Sequence, residues 1–269
     1  MSIWNIDGYK YSVYEKFGNG HESILVLHGF TGQSTNWISL ANQLDSFTLF
    51  APDILGHGLS ESPRGDTIYT MAVVASHLLF IMEHHKIEQF HLLGYSMGGR
   101  LALYIATHYP DRVKSLILES ASPGLKTEAE REARRKSDND LADKIEANGI
   151  EWFVDYWEKL PLWHTQTPGQ RAYLREQRLK NDPVGLANSL RGMGTGVMPS
   201  LWDKLSELPM PVKLIAGELD SKYVAINREM AELIPNADLT IIKGAGHTVH
   251  LEKSDEYAKL VLQFLDKHS

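Results

Sequence analysis

Six short apolar runs, each closed off by turn residues, govern what this chain is able to fold into. They are Ile24–Leu27, Thr48–Ala51, Phe90–Leu93, Val113–Leu118, Val212–Ala216 and Leu239–Ile242. Runs this short and this continuously apolar are expected as strands buried on both faces. Helical patterns lie between most of them. One is expected after Thr67 and another just after Ser96, and a third shows one apolar face through Tyr257, Leu260, Val261, Phe264 and Leu265. Strands alternating with helices predict an α/β fold, a mostly parallel sheet flanked by helices. The polar, alternating stretch Tyr9–Glu15 should add an antiparallel edge hairpin.

From about Lys126 to Leu201 the alternation stops. Trp152, Phe153, Tyr156 and Trp157 cluster there, Pro161, Pro168, Pro183 and Pro199 interrupt, and only helices are expected. We therefore read residues 1–124 and 202–269 as one core and residues 125–201 as a helical lid inserted between two strands. The charge distribution separates the same stretches. The chain has 27 Lys+Arg against 34 Asp+Glu, a formal charge of −7. Residues 125–204 hold 13 of each sign and seven of the 11 arginines, so the flanks carry the whole negative excess.

That acidic balance argues against nucleic acid as a partner, which calls for a concentrated basic face. The absence of cysteine excludes disulfides, thiolate catalysis and Cys-ligated zinc, and suits a reducing compartment. Met1–Gly20 has no apolar run suited to a signal peptide, and nothing later has the length of a membrane span. The expectation is a cytoplasmic protein without membrane insertion.

The sharpest chemical signal is Gly94-Tyr95-Ser96-Met97-Gly98-Gly99, between the run Phe90–Leu93 and the helical pattern of Leu101, Leu103 and Ile105. A G-x-S-x-G sequence in a strand–turn–helix context is a nucleophile elbow, with Ser96 as nucleophile. A serine needs a base, and the base needs an orienting carboxylate. Asp220, after Val212–Ala216, and His247, after Leu239–Ile242, stand in the order Ser…Asp…His at the ends of two further strands. Most of the 11 other histidines are expected to be solvated. An oxyanion hole would use the backbone N–H of Met97 and of Phe30, the latter in His28-Gly29-Phe30-Thr31-Gly32. The glycine-rich stretch Pro52–Ser60 is read as shaping its loop and packing against the elbow. No His/Asp cluster of a metallohydrolase is visible, and neither metal nor cofactor is expected because chemistry by the triad needs neither.

The elbow, the His-Gly-Phe loop, the Pro-Asp-x-x-Gly-His-Gly-x-Ser stretch and the Gly-x-Gly-His loop resemble the α/β-hydrolase superfamily over nearly the whole chain. Asp at the position of Ser96 would have indicated a dehalogenase instead. Arg100 and the motifs of the 125–201 segment narrow the resemblance. These are Glu130–Asp138, Trp157–Trp163, Arg178 and Ser189–Gly196. Together they resemble the 2-succinyl-6-hydroxy-2,4-cyclohexadiene-1-carboxylate (SHCHC) synthases of bacterial menaquinone biosynthesis. The resemblance implies a lyase that eliminates pyruvate from a small polycarboxylate, 2-succinyl-5-enolpyruvyl-6-hydroxy-3-cyclohexene-1-carboxylate. It also implies that Arg100, Arg178 and one of Arg131 and Arg134 clamp carboxylates, and that Tyr95 and Trp157 line the pocket. Arg131 and Arg134 are three residues apart and able to share a helix face, so the choice between them stays open. Arg135, Arg171, Arg175 and Arg191 are left as surface or structural charges.

Two other readings share the core motifs. A plain serine hydrolase, a carboxylesterase or C–C bond hydrolase, would use the same triad. A ligand-binding receptor of the same fold would not need it intact.

Overall fold

All six apolar runs are strands, and the computed structural model describes residues 1–269 in full. The strands are β1 (Ser2–Ile6), β2 (Tyr9–Lys16), β3 (Glu22–Leu27), β4 (Phe47–Pro52), β5 (Phe90–Tyr95), β6 (Val113–Glu119), β7 (Val212–Gly217) and β8 (Ala237–Ile242). They form one sheet in the order β1-β2-β4-β3-β5-β6-β7-β8. Pairing is parallel from β4 through β8, while β2 runs antiparallel to both β1 and β4. The Tyr9–Glu15 stretch is β2, and the outermost strand of its hairpin is β1. Asp7-Gly8 joins the two with φ of 50° and 89°, the positive pair that a two-residue hairpin turn favours.

The helices are α1 (Ile38–Ala41), α2 (Met71–His84), α3 (Met97–His108), α4 (Glu128–Trp157), α5 (Pro168–Arg178), α6 (Pro183–Met193), α7 (Ser221–Leu233), α8 (Val249–Glu252) and α9 (Ser254–Lys267). They cover both faces of the central strands, which is why those read as unbroken apolar runs; β8, at the sheet edge and buried only at Ile242, departs from the expectation of burial on both faces. Leu25, Leu27, Leu92, Leu116, Leu118 and Leu214 point to one side, against Val74 and Leu78 of α2 and Leu101 and Ile105 of α3. Their neighbours Ile24, Val26, Leu93, Ile117 and Ile215 point to the other, against Trp37 and the Val261 and Phe264 face of α9. A one-residue slip in any of these strands would exchange its two faces, so burial on both sides fixes the register.

Between β6 and β7 the chain is helical only: α4, α5 and α6 with short 3-10 turns. Thr127 starts α4 with a reciprocal cap, its hydroxyl accepting from the Glu130 N–H while the Glu130 carboxylate accepts from the Thr127 N–H. Gly149, at φ 79°, kinks α4 near its end. That kink brings Phe153 and Val154 onto Leu186, Ala187 and Leu190 of α6, a small apolar cluster separate from the two sheet faces. No helix is long and apolar enough to cross a membrane.

Candidate active site

Because β5, β7 and β8 run parallel, their carboxyl ends open on one edge of the sheet, and three loops deliver side chains there. Ser96 follows β5 with φ 52° and ψ −108°, a conformation that L-residues avoid and that surrounding contacts must hold. Close approach makes it possible. A Cβ on Gly98 would sit 2.4 Å from the carbonyl oxygens of both Leu27 and His28, so only glycine lets α3 pack against the end of β3.

Asp220, after β7, accepts from the His247 Nδ1–H at 2.6 Å, and His247 Nε2 lies 3.0 Å from the Ser96 hydroxyl. All three are buried or nearly so, with Asp220 8% and His247 2% exposed. Protonation at Nδ1, fixed by Asp220, leaves Nε2 as acceptor for the serine proton. Rings of Tyr223, Tyr95 and Trp163 surround the imidazole at 4.8, 5.4 and 5.9 Å. The backbone N–H groups of Phe30 and Met97 find no acceptor within the protein. Beside Ser96, two free donors can face a developing oxyanion.

The loops beneath are held by buried polar groups. His28 Nε2 accepts from the Ile54 N–H at 2.9 Å and its Nδ1–H donates to the Gly29 carbonyl at 2.8 Å, so the ring is neutral. Burial pushes its pKa down to about 4 and that of His57, beside it, to about 3. Asp53 accepts from the N–H groups of Ser34 and Leu59 at 2.6 and 2.8 Å, which makes the Pro52–Ser60 stretch a scaffold. The expectation that most histidines are solvated is therefore corrected. His28, His57, His77 and His91 are buried, and His85, His250 and His268 partly so. Burial is tolerated because neutral imidazoles serve as hydrogen-bond partners for loops and strands.

A cavity of about 190 Å³ lies over Ser96 and His247, lined by Phe30, Tyr95, Met97, Arg100, Arg134, Trp157, Trp163, Thr195, Lys222 and Tyr223 among others. None of its lining residues is acidic. Arg100, one turn into α3, donates to Thr195 Oγ1 at 2.5 Å and has no carboxylate partner. Desolvation brings its pKa down to about 10, still cationic at neutral pH. Arg134 reaches the cavity from α4 while its Nε–H donates to Asp138 at 2.7 Å. Arg131 does not line the cavity and turns back to Glu128 on the preceding helical turn.

Arg178 does not line this cavity either. Its side chain, 3% exposed, stacks over Trp163 at 4.9 Å in a smaller adjoining cavity behind Phe30, Tyr95 and Trp163. Glu158 at 3.4 Å is its loose counter-ion, and its Nε–H is buried without a partner. Trp157 packs edge-on against Phe30 at 5.4 Å, so it lines the cavity and also joins the helical segment to the His28–Gly32 loop. Arg135, Arg175 and Arg191 form ion pairs with Glu128, with Asp155 and Glu158, and with Asp143 and Glu146, while Arg171 donates to backbone carbonyls. Sequence reasoning missed Trp163, Thr195, Lys222 and Tyr223. The signal for Trp163 and Thr195 lay in the Trp157–Trp163 and Ser189–Gly196 motifs, and that for Lys222 and Tyr223 in their place just after Asp220-Ser221.

The model of the α/β hydrolase fold family matches residues 22–254. The chain is 44% identical to the putative SHCHC synthase of Bacillus subtilis over 98% of both chains. It is 31% identical to the SHCHC synthase of Salmonella agona, over 87% of this chain and 89% of that one. The solved structure of MenH from S. aureus superposes with a TM-score of 0.91 at 38% identity, covering 96% of this chain and 98% of that one. This chain belongs to the α/β-hydrolase fold family and, within it, to the SHCHC synthases.

Proposed function

We propose that the enzyme is a lyase that eliminates pyruvate from 2-succinyl-5-enolpyruvyl-6-hydroxy-3-cyclohexene-1-carboxylate to give SHCHC. The observation that carries this reading is a catalytic cavity with Arg100, Arg134 and Lys222 in its walls and no acidic side chain among them. Arg100 and Lys222 have no acidic partner and Arg134 has only Asp138 on its own helix, so the cavity fits a substrate that brings its own carboxylates. The substrate has three. Screening mutes distant charge beyond about 8–10 Å, so these local cations outweigh the overall −7.

The triad serves as a base. Ser96 Oγ takes the ring proton beside the succinyl ketone as it passes its own proton to His247 Nε2. The C–H electron pair moves into the ring, the double bond shifts, and the C–O bond to the enolpyruvyl group breaks. The departing enolate of pyruvate takes up one proton, which restores the balance. Phe30 and Met97 N–H groups stabilise the dienolate oxygen, and Asp220 stabilises the imidazolium. Arg100 and Arg134 hold carboxylates in this cavity, with Tyr95 and Trp157 as its aromatic walls. Arg178 contributes positive potential from behind Tyr95 and Trp163.

Residues 125–201 act as the lid over a core of 1–124 and 202–269, because α4 and α6 carry their own apolar cluster and close the cavity above Ser96. A trianion does not cross bilayers, so substrate and product must be made and consumed in the compartment that holds the enzyme. With a cysteine-free chain, we assign the cytoplasm.

The test follows the conjugated diene and released pyruvate together, using freshly generated enolpyruvyl substrate and Ser96→Ala as control. Both products should appear in equal amounts, and Ser96→Ala should abolish them. Turnover of simple esters with none of the polycarboxylate would overturn the lyase reading in favour of a serine hydrolase. Tight binding without any turnover would point to a receptor.

A further inference from the structure

Lys222 stands where local energetics disfavour a cation. It is the second residue of α7, at the positive end of the helix, and the first turn of α7 contains no acidic residue. The N-cap carboxylate of Asp220 is already engaged by His247. The Lys222 side chain is exposed and forms no ion pair, and its ammonium lies 5.6 Å from the centre of the Tyr223 ring. It nevertheless lines the catalytic cavity, on the wall that also carries Tyr223 and His247. A cation on the cavity wall with no acidic partner has its charge and donors available to an anionic ligand.

We infer that Lys222 is a specificity-determining residue that binds the carboxylate of the departing enolpyruvyl group at the solvent-facing rim of the cavity. This rests on the lyase reading above. Lys222 is exposed, whereas Arg100 is half-buried one turn beyond Ser96. The ring must face Ser96, and the group that leaves must face the side open to water. A flexible lysine with no competing acid suits a carboxylate that has to be held during elimination and then released.

The test compares wild type with Lys222→Gln and Lys222→Arg in the full-length enzyme. It reads KM and kcat on the polycarboxylate, inhibition by added pyruvate, and the thermal midpoint. For Lys222→Gln we expect KM to rise roughly five- to tenfold with kcat within about twofold, as for loss of one water-exposed charged contact. Pyruvate inhibition should weaken by a similar factor, Lys222→Arg should restore both, and the thermal midpoint should hold or rise. An unchanged KM in Lys222→Gln overturns the inference while the lyase reading stands. So does a wild type indifferent to pyruvate, or a KM change that accompanies a lowered midpoint. A wild type that does not turn over the polycarboxylate sinks the lyase reading itself.

Discussion

Arg100 of α3 donates to Thr195 Oγ1 at 2.5 Å, across 95 residues of sequence, and so ties the nucleophile's helix to the loop after α6. A guanidinium has five N–H donors, and here one neutral hydroxyl and a distant methionine sulfur at 3.9 Å are its only side-chain partners. The remaining donors are available to a carboxylate. Arg100→Ala should lower kcat/KM by about 10- to 100-fold, the range for a charge-assisted hydrogen bond, measured by the diene assay. Arg100→Lys should recover little, since a point charge does not replace a planar fork.

Arg131 and Arg134 separate by position on α4. Arg134→Ala should raise KM by about tenfold, whereas Arg131→Ala, which removes only an exposed pair with Glu128, should stay within about twofold. Equal effects of the two substitutions would mean that the helical segment closes differently around substrate.

The buried Asp220–His247 contact of 2.6 Å fixes which imidazole nitrogen carries the proton. Asp220→Asn should reduce kcat by about 10²–10⁴-fold with KM little changed, because it alters the base and not the pocket. Rapid-mixing measurements should locate that loss in the elimination step.

His28 and His57 make the fold acid-sensitive. Their folded pKa values, about 4 and about 3, lie below the unfolded value of about 6.5. Below pH 6.5 the unfolded chain therefore binds more protons. The stability that neutral imidazoles contribute is complete above pH 6.5 and is lost as pH falls toward 4. Between pH 7 and 5 the loss is about 2 kcal/mol per histidine, readable as a lower urea midpoint. A midpoint flat from pH 7 to 5 would contradict this account.

Two glycines should respond in opposite ways. Gly98→Ala pushes a methyl group to within 2.4 Å of two backbone carbonyls, and should cost about 1–3 kcal/mol and displace the His28–Gly32 loop. Gly169, near the start of α5, has nothing within 4 Å of an added Cβ. Gly169→Ala should stabilise by roughly 0.4–1 kcal/mol. Urea melts of both variants give the comparison directly.

Local pattern made much of the molecule legible. Continuous apolar runs announced strands buried on both faces, because helices on each side remove any need for a polar face. G-x-S-x-G between a strand and a helix located Ser96, and the order Ser…Asp…His located its candidate partners at other strand ends. The alternation of Tyr9–Glu15 marked the edge hairpin, while the Asp7-Gly8 turn that pairs β1 with β2 was a signal left unread. What a linear pattern does not encode is the direction a long side chain takes. Arg131 and Arg134 have the same type and share a helix, yet one turns to Glu128 and the other reaches the cavity. Arg178 settles behind Trp163, and Lys222 joins the cavity wall only because β7 and β8 end side by side. The histidines were misread for the same reason, since whether an imidazole is solvated depends on which loops fold over it. Sequence alone determined the order of elements and the candidates for the reacting groups. Those follow from short-range periodicity and turn chemistry. Only the tertiary structure decided which cations share the cavity, because that depends on packing between segments far apart in sequence and on which charges already have partners.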